Sequence, residues 1–549
     1  MQWRQEAIQQ VVVTAEQMQE IEARIFANGF PVEALMEKVA GRIAEKICAL
    51  YPLHSPSEHL SSQPLRVGIL VGPGHNGGDA LVVARELFFR GYEVVCYQPL
   101  EKLKPLTADH ARYVASLGIP FLDRVDAFSD CHLVIDGLFG FGLNRALTGA
   151  IAHMVAHINT LSIPIVSIDL PSGIHTDTGA ILGSAIAATH TLCLGLWKRA
   201  FLQDQALSFL GQVDLIDFDI PWADVNAITA PEPSLCRITP CRITPHQVRQ
   251  SLPLPRALTT HKYKEGHVLL ICGSQRYMGA AILTGLAARA SGVGLLSIAV
   301  PAALKTAIAA RIPDAITIAC PETESGAIAH LPKDLSNALQ FGKYEAIACG
   351  PGLTVEAMAA IEAVLASPGP LLLDADGLNG LAKIGLDAIA ARSPLTVLTP
   401  HFGEFKRLFF PPPNFSVSNR QDPVFPNENG DRISLVQTSA ANSGAMVVLK
   451  GARVAIAHPD GRTWLNPNST PALARGGSGD VLTGLMGGLM AQAIARSIPV
   501  ESMIPVAVWW HAQAGCLATQ QRTELGVDAE TLTQYLAQVI QTLSPHQRG

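Results

Sequence analysis

The stretch RVGILVGPGHNGGDALVVARELFFRGYEVVCY, residues 66–97, decides the fold of the first half of the chain. It contains two short apolar segments, at 66–71 and 93–97, separated by a glycine-rich turn and a helical segment at 80–90. Apolar strands that alternate with helices are typical of a parallel sheet covered on both faces. Three further apolar segments predict strands, at residues 132–136, 165–169 and 191–194. The first half is therefore predicted to be an α/β domain.

The second half repeats this alternation and predicts a second α/β domain. Its predicted strands are residues 267–271, 295–300, 346–348, 371–374, 396–398 and 446–449. Between the halves lies a proline-dense segment, 221–260, with the tandem repeat CRITP at 236–240 and again at 241–245. Proline-dense segments without an apolar period are typical of linkers. We therefore predict domains at 10–222 and 245–545, a linker at 223–244, and an exposed insertion or flexible loop at 409–432.

The composition excludes several classes of protein. Of the 549 residues, 48% are hydrophobic, which is ample for a buried core. The net charge is −6 without a long basic run, so no nucleic-acid partner is expected. No apolar stretch reaches the ~18 residues of a membrane span, and the N-terminus lacks a signal-peptide pattern. Ten cysteines without a C-x-x-C pair indicate reduced thiols and a cytoplasmic location. Only 16% of residues are charged, which favours either large interiors or surface hidden between subunits, and we expect a homo-oligomer.

Polar groups follow three predicted strands of the first half. The glycine-rich turn GPGHNGGDA (72–80) follows one strand, and two others end at Asp136 and Asp169. Because ligands bind at the carboxyl ends of parallel strands, these groups are expected to meet at one site. Glycines let backbone approach a ligand closely, and oxygens of Asn76, Asp136 and Ser172 would suit a hard cation. Each motif alone also fits a tight turn or a helix cap.

Taken in this order, GPGHNGGDA, VIDGLFGFG and SIDLPSG resemble the NAD(P)H-hydrate epimerases over roughly residues 10–220. The resemblance implies a Rossmann-like three-layer sandwich that interconverts the R and S epimers of hydrated NADH or NADPH. It implies Asp169 at the reacting ring and a potassium ion on Asn76, Asp136 and Ser172, and it leaves the proton-transfer partner of Asp169 open. The implied substrate contacts are His75, Asn76, Gly77, Gly78, Asp79, Gly140, Phe141, Gly142, Leu143, Asn144, Arg145 and Ala146.

The second half lacks the G-x-x-x-x-G-K-[ST] pattern of a P-loop but has ARGGSGDVLTG at 474–484, before a long apolar segment. Backbone N–H groups at the start of that helix would stabilise the charge of a phosphate. Asp480, near the first turn, would accept a proton from a substrate hydroxyl. The alternative is a glycine-rich loop capped by an aspartate. Four more motifs contain or follow strand ends: CGPGL (349–353), LLLDADGLN (371–379), LTPHFGEFKRL (398–408) and VVLKGARV (447–454).

These motifs resemble the ADP-dependent NAD(P)H-hydrate dehydratases, which share the ribokinase-like fold, over about residues 245–545. The resemblance implies that ADP phosphorylates the hydroxyl of the S epimer and that phosphate then leaves, giving NADH or NADPH and AMP. Asp480 would be the base, Mg²⁺ would neutralise the nucleotide phosphates, and Asp374 and Asn379 are further candidates. The implied hydrate contacts are Ala280, Gly352, His401 and Asp480, and the implied nucleotide contacts are Lys450, Gly451, Ala452, Arg453, Val454 and Gly479.

The sequence therefore predicts a two-activity repair enzyme for hydrated nicotinamide nucleotides. Two alternatives stay open at this point. The second half also fits a sugar or vitamin kinase of the ribokinase-like class, whose product would be a stable phosphorylated alcohol. The first half also fits a nucleotide-binding module without catalytic activity.

Overall fold

A computed structural model describes the chain over residues 2–53, 64–230, 239–390, 392–410 and 431–543. The chain divides into two compact units, Met1–Pro240 and Cys241–Gly549. Each unit is built on one main sheet in which most neighbouring strands run parallel. Among the helices of the described ranges, none is both long and apolar enough to cross a membrane.

The first unit alternates strands and helices along the chain, as a parallel sheet with helical crossovers requires. Its strands are Val12–Val13 (β1), Arg66–Val71 (β2), Glu93–Tyr97 (β3), Leu133–Gly137 (β4), Ile165–Ile168 (β5), His190–Leu194 (β6), Trp197–Lys198 (β7) and Gln212–Ile216 (β8). Its helices are Gln2–Ile8 (α1), Ala15–Ala27 (α2), Val32–Leu50 (α3), His75–Phe89 (α4), Pro105–Ser116 (α5), Gly149–Thr160 (α6), Leu207–Leu210 (α7) and Trp222–Thr229 (α8).

Six strands of the described part of this unit form a parallel sheet in the order β3-β2-β4-β5-β6-β8. β1 and β7 pair separately as a short parallel ladder. The chain passes from β2 to β3 on one side and later returns to β4 on the other side, so the strand order reverses between β2 and β4. A crevice opens at the carboxyl ends of strands where such an order reverses. The loops after β2 and β4 therefore flank a natural ligand site.

Both faces of this sheet are buried, because successive side chains of a strand point to opposite faces. Val67, Ile69 and Val71 of β2 pack in one apolar cluster with residues of α2, α3 and α4. Leu70 of the same strand packs in a second cluster with Val155 of α6. The unit therefore has three layers, with the sheet between two layers of helices.

The second unit continues the alternation with longer helices near its end. Its strands are Cys241–Arg242 (β9), His267–Ile271 (β10), Leu295–Pro301 (β11), Ile316–Cys320 (β12), Ala346–Cys349 (β13), Leu371–Leu373 (β14), Thr396–Leu398 (β15), Met446–Leu449 (β16), Ala455–Ala457 (β17) and Thr463–Leu465 (β18). Its helices are Pro245–Ser251 (α9), Met278–Ala290 (α10), Lys305–Arg311 (α11), Lys333–Gln340 (α12), Met358–Leu365 (α13), Asp376–Ile384 (α14), Asp387–Ala390 (α15), Phe402–Phe409 (α16), Arg432–Ser443 (α17), Ser478–Ala495 (α18), Met503–Arg522 (α19) and Ala529–Leu543 (α20).

Within the described residues, these strands form one ten-stranded sheet in the order β12-β11-β10-β13-β14-β15-β16-β17-β18-β9. It is parallel from β12 to β16, and β17 runs antiparallel to both of its neighbours. The strand order reverses between β10 and β13, so the loops after these two strands flank a crevice. Helices α10 and α18 pack against each other and bury apolar residues in one core with β10 and β13.

The predicted α/β class is confirmed, and every predicted strand is present with ends within one residue of the prediction. The segment predicted as a linker is partly regular structure. Helix α8 forms at its start because Val225 is buried and Asp224 pairs with Arg24, and β9 at its end joins the second sheet beside β18. Residues 231–238 of that segment, and residues 411–430 of the predicted insertion, lie outside the described residues.

Two candidate active sites

A cavity of about 720 Å³ opens at the carboxyl end of the first sheet. Its walls are the loops after β2 and β4, the end of β5, and helices α2 and α3. The reversal of strand order between β2 and β4 accounts for this position. Nine of the twelve predicted substrate contacts line the cavity, together with Asp169: His75, Asn76, Asp79, Gly140, Phe141, Gly142, Leu143, Asn144 and Arg145.

The other three predicted contacts do not belong to the cavity wall. A Cβ atom on Gly77 would meet the carbonyl oxygen of Gly72 at 1.9 Å, and one on Gly78 would meet Cε of Met36 at 2.7 Å. These two glycines therefore allow the start of α4 to pack closely on its neighbours. Ala146 is exposed on the loop after β4.

Asp169 is held firmly in the cavity wall. Its backbone has φ +68°, in the left-handed region that aspartate adopts more readily than most residues. Its Oδ2 accepts a hydrogen bond from the N–H of Phe141 at 2.9 Å, and its Oδ1 accepts one from Nζ of Lys198 at 2.5 Å. Lys198 is fully buried and also donates to the carbonyl of Leu194 at 2.6 Å. A buried carboxylate and a buried ammonium thus fix each other beside the cavity.

Negative charge is concentrated around this lysine. Burial raises the pKa of Glu22 to about 7, with Lys198 opposing the rise and Asp169 adding to it. Burial, followed by the charges of Glu22 and Asp169, raises the pKa of Asp79 well above its usual range. Burial lowers the pKa of Lys198, but its negative neighbours, Asp169 first, make the net direction upward. At neutral pH, Glu22 therefore gains and loses a proton readily.

Two of the predicted cation ligands, Asp136 and Ser172, are hydrogen-bonded to each other, whereas the third, Asn76, lines the cavity. Oδ1 of Asp136 accepts hydrogen bonds from Oγ of Ser172 at 2.6 Å and from the N–H of Leu138 at 3.2 Å. Its Oδ2 accepts from Oγ of Ser167 at 2.8 Å and from the N–H of Ser172 at 2.9 Å. Burial raises the pKa of Asp136, and the bonds from Ser172 oppose that rise. Within the described residues, Nδ2 of Asn76 is buried without a hydrogen-bond partner, so this NH2 group can donate a hydrogen bond to an acceptor atom of a ligand.

The second site lies at the start of α18. Gly477 caps this helix at φ +92°, which favours glycine, and a Cβ atom there would meet Cδ1 of Leu283 at 2.6 Å and Cβ of Ala529 at 2.9 Å. The first N–H groups of a helix have no partner inside it. Those of Gly479 and Asp480 are therefore available to a negatively charged group, which the helix dipole also favours.

A lysine–aspartate pair lies beside this helix start. Nζ of Lys450 donates to Oδ1 of Asp374 at 2.7 Å, and Oγ1 of Thr483 donates to Oδ2 of Asp374 at 2.7 Å. A Cβ atom on Gly479 would lie 3.4 Å from Nζ of Lys450, so the pair touches the glycine-rich turn. Burial, followed by the charge of Asp374, raises the pKa of Asp480 to about 6, while Lys450 opposes the rise. A proton acceptor, a cation and helix N–H groups are thus gathered in one place, as phosphoryl transfer requires.

The remaining predicted contacts of this unit follow strands of the parallel sheet. Gly352 adopts φ +66° after β13, and a Cβ atom there would meet Cβ of Ala280 at 2.9 Å, so these residues touch at the sheet reversal. His401 caps α16 after β15: its Nδ1 accepts from the N–H of Gly403 at 3.0 Å, and its side chain is 56% exposed. The connection from β16 to β17 is formed directly after Lys450 by Gly451, Ala452, Arg453 and Val454.

The two units define an enzyme with a Rossmann-like domain and a ribokinase-like domain, each with a site at the carboxyl edge of its sheet. Residues 268–538 match the family described as NAD(P)H-hydrate dehydratase, and residues 32–200 match the family described as YjeF-related protein N-terminus. A bifunctional NAD(P)H-hydrate repair enzyme Nnr of Synechocystis sp. is 52% identical over 527 residues, covering 96% of this chain and 94% of the relative. Another, of Thermosynechococcus vestitus, is 50% identical and covers 96% of each chain.

Among solved structures, the ADP/ATP-dependent NAD(P)H-hydrate dehydratase of Bacillus subtilis, co-crystallised with ATP and Mg²⁺, is 31% identical and covers 55% of this chain and 98% of its own, with a TM-score of 0.45. The full-length relatives establish the family. This chain belongs to the bifunctional NAD(P)H-hydrate repair enzymes, in which an epimerase domain and a dehydratase domain are joined. The predicted family and enzyme class are confirmed, and the kinase and binding-module alternatives are set aside.

Lys198 and Glu22 of the first site did not emerge from the sequence. Lys198 lies in LGLWKRA, where a charged residue interrupts an apolar run, and that interruption was the available signal. Glu22 lies on α2 beside the buried Met18 and Ile21, so its position next to an apolar face was the signal. In the second site, Asp374 belongs to the cluster with Lys450. The other further candidate, Asn379, donates to Oδ1 of Asp376 at 3.1 Å and accepts from Arg407 of α16.

Proposed function

We propose that the first unit interconverts the R and S epimers of hydrated NADH and NADPH, and that the second unit dehydrates the S epimer with ADP, releasing AMP and phosphate. The cluster of Asp480, Lys450 and Gly479 carries this proposal. It combines a proton acceptor that is ionised at neutral pH with a cation and helix N–H groups for a phosphoryl group. Phosphorylation makes the substrate oxygen a better leaving group than hydroxide.

In the dehydratase step, Asp480 takes the proton of the substrate hydroxyl while that oxygen attacks the terminal phosphorus of ADP, and AMP leaves with the bridging oxygen. Lys450 and the N–H groups of Gly479 and Asp480 stabilise the transferring phosphoryl group. The ring carbon then loses phosphate together with the C–O electron pair, helped by the ring nitrogen. The adjacent carbon loses a proton, which restores the ring double bond. Ala280, Gly352 and His401 would contact the hydrate.

The nucleotide would lie along the connection from β16 to β17. Lys450 would exchange its bond to Asp374 for the phosphates, and Gly479 would let them approach the helix start. Mg²⁺ would neutralise the charge of these phosphates. Phosphate oxygens are ligands that Mg²⁺ prefers, and Lys450 with the helix N–H groups would hold them, so the ion would enter with the nucleotide. The other proposed contacts are Gly451, Ala452, Arg453 and Val454.

In the epimerase step, the hydroxyl-bearing carbon is bonded to the ring nitrogen. Once the hydroxyl is protonated, the nitrogen lone pair expels it as water and leaves a planar carbon. Water that adds to the opposite face and gives up a proton then forms the other epimer. Asp169 would accept that proton, and Lys198 would hold its carboxylate in place. The nine predicted contacts that line the cavity would position the ring and its nucleotide.

Potassium in the epimerase unit is part of this proposal. Asn76, Asp136 and Ser172 would supply amide, carboxylate and hydroxyl oxygens, which are the donors a hard cation prefers. All four hydrogen bonds of the Asp136 carboxylate are already made by protein groups, so binding would require Ser172 to turn its hydroxyl from Asp136 to the cation. Thermal unfolding in potassium, sodium and tetramethylammonium chloride tests this. Potassium alone should stabilise the first unit, and Ser172→Ala should remove that difference.

The overall proposal is tested with the full-length chain and separately purified epimers, by following the absorbance of the reduced ring. Asp480→Asn should abolish recovery of NADH from both epimers in the presence of ADP. Asp169→Asn should leave recovery from the S epimer intact and slow recovery from the R epimer to the spontaneous rate. Asp123→Asn and Glu524→Gln, at exposed positions, provide the matched controls. A wild-type chain that consumes the R epimer no faster than buffer would refute the epimerase assignment.

Oligomeric state and compartment remain proposals as well. We expect a homo-oligomer, since few residues are charged, and light scattering of the purified chain will measure its mass. We expect the cytoplasm, because the nine cysteines of the described ranges are all free, as in a reducing compartment. We expect the partners to be the small molecules of the reaction, with no nucleic acid and no membrane.

A further inference from the structure

Helix α2 contributes one wall of the epimerase cavity. Gln19, Glu22, Ala23 and Phe26 of this helix line the cavity, at the i, i+3, i+4 and i+7 positions of a single helical face. This helix precedes the segment 32–200 that matches the family of the first unit. Asp169 and Lys198 enter from the carboxyl edge of the sheet. Glu22 therefore brings a carboxyl group to the cavity from a different structural element.

Glu22 is poised for proton transfer. Within the described part of the chain, the carboxyl group of Glu22 makes no hydrogen bond. No described protein group would therefore compete with a ligand for hydrogen bonds to this carboxyl. Burial brings its pKa to about 7, which lets it donate and accept a proton at neutral pH. The other ionisable groups that face the cavity are His75, Asp79, Lys104, Arg145, Asp169 and Lys198.

Three of these other groups, Asp79, His75 and Lys198, are less suited than Glu22 to donate a proton to a ligand. Burial raises the pKa of the Asp79 carboxyl, so it gives up its proton less readily than an ordinary aspartate. Burial and Lys104 lower the pKa of His75, which leaves that ring neutral. Lys198 is committed to Asp169.

We propose that Glu22 is the second acid–base residue of the epimerase. It donates a proton to the ring hydroxyl, whereas Asp169 accepts a proton. This proposal rests on the proposed function of the first unit. Glu22 donates its proton to the hydroxyl, which leaves as water with the C–O electron pair while the ring nitrogen shares its lone pair with the carbon. Water then adds to the other face of the planar carbon and gives its proton to Asp169. A water-mediated transfer from Asp169 returns the proton to Glu22, so atoms and charges balance without a further reactant.

The test compares Glu22→Gln and Glu22→Asp in the full-length chain, with Glu20→Gln as the matched control on the same helix outside the cavity lining. Glutamine keeps the shape of the side chain but supplies no titratable proton. We expect Glu22→Gln to lower kcat for the R epimer by about 100-fold or more, with KM within a few-fold of wild type. Glu22→Asp should retain part of the rate, and recovery from the S epimer should be unchanged in all variants.

The pH profile separates catalysis from a structural role. Because Glu22 must be protonated to donate, wild-type kcat/KM for the R epimer should fall as pH rises through about 7, and Glu22→Gln should lack that limb. A Glu22→Gln chain with the wild-type rate and the same limb would overturn the inference, as would an equal loss in the Glu20→Gln control. In that case, a loss of R-epimer turnover in Asp169→Asn would still support the proposed function.

Discussion

At the scale of single residues, the proposed epimerase site contains one buried ion pair, Lys198 and Asp169. Lys198 is fully buried and the Asp169 side chain is 3% exposed, so neither charge is solvated by bulk water. A buried charge that loses its partner is strongly destabilising, whereas an intact pair contributes little net stability. The pair is thus better suited to holding a carboxylate at a chosen place than to stabilising the fold.

We predict that Lys198→Met lowers the free energy of unfolding of the first unit by about 3–5 kcal/mol, because it leaves Asp169 as an unpaired buried charge. The double variant with Asp169→Asn should recover most of this loss, although R-epimer turnover remains absent. Urea unfolding of all four chains measures the coupling. The exposed pair of Lys38 and Asp219 is the control, and Lys38→Met should cost at most about 1 kcal/mol. Additive losses for the buried pair would contradict the prediction.

A second residue-scale prediction concerns the base of the dehydratase. Asp480 must be ionised to accept a proton, and its pKa is raised to about 6, so kcat/KM for the S epimer should fall as pH drops through about 6. The charge of Asp374 contributes to that rise. Asp374→Asn should therefore move the acidic limb to lower pH, whatever its effect on the maximal rate. An unmoved limb, or one displaced to higher pH, would show that Asp374 does not act on Asp480.

At the scale of elements, the start of α18 would fix the geometry of the proposed phosphate site. Gly477 combines a left-handed backbone with two close neighbours, whereas a Cβ atom on the adjacent Gly476 would meet nothing within 4 Å. The two glycines stand side by side in the sequence, but only one of them is required by the fold. This contrast makes a matched pair of alanine substitutions possible.

We predict that Gly477→Ala destabilises the second unit by about 1–3 kcal/mol and displaces the helix start, since the backbone strain adds to contacts with Leu283 and Ala529. Recovery of NADH from the S epimer should fall at least about tenfold, a shift of ~1.4 kcal/mol in the barrier. Gly476→Ala should keep both stability and rate. Differential scanning calorimetry and the S-epimer assay measure the two effects. Equal behaviour of the two variants would refute this account of Gly477.

Elements were easier to predict from sequence than the contacts between them. The strands were found within one residue because buried parallel strands are near-continuous apolar runs bounded by turns. Helix α2 shows an apolar face, but amphipathicity does not tell what that face meets, so its cavity wall and Glu22 were missed. Lys198 was missed because its partner Asp169 is 29 residues away in the sequence. Gly77 and Gly78 are predicted to contact the substrate, and the structure adds that a Cβ atom at either position would meet a close neighbour.

At the scale of the whole molecule, the two proposed sites lie in separate compact units, and the product of one is the substrate of the other. We predict that they work through a released intermediate. An equimolar mixture of Asp169→Asn and Asp480→Asn chains should recover NADH from the R epimer, because one chain makes the S epimer and the other consumes it. The rate should rise with enzyme concentration and exceed the sum of the separate chains. If the mixture shows no recovery beyond that sum, transfer through bulk solvent is excluded.

The bond between Lys450 and Asp374 has a consequence for ligand selection. If Lys450 binds the nucleotide as proposed, it already has an internal counter-ion in Asp374, so nucleotide binding would exchange one anion for another. A single chloride or carboxylate would give Lys450 one anionic partner, as Asp374 already does, so it would gain little by displacing Asp374. A polyphosphate would bring several oxygens at once, including some for the helix N–H groups. We therefore expect this ion pair to favour polyphosphates over monovalent anions.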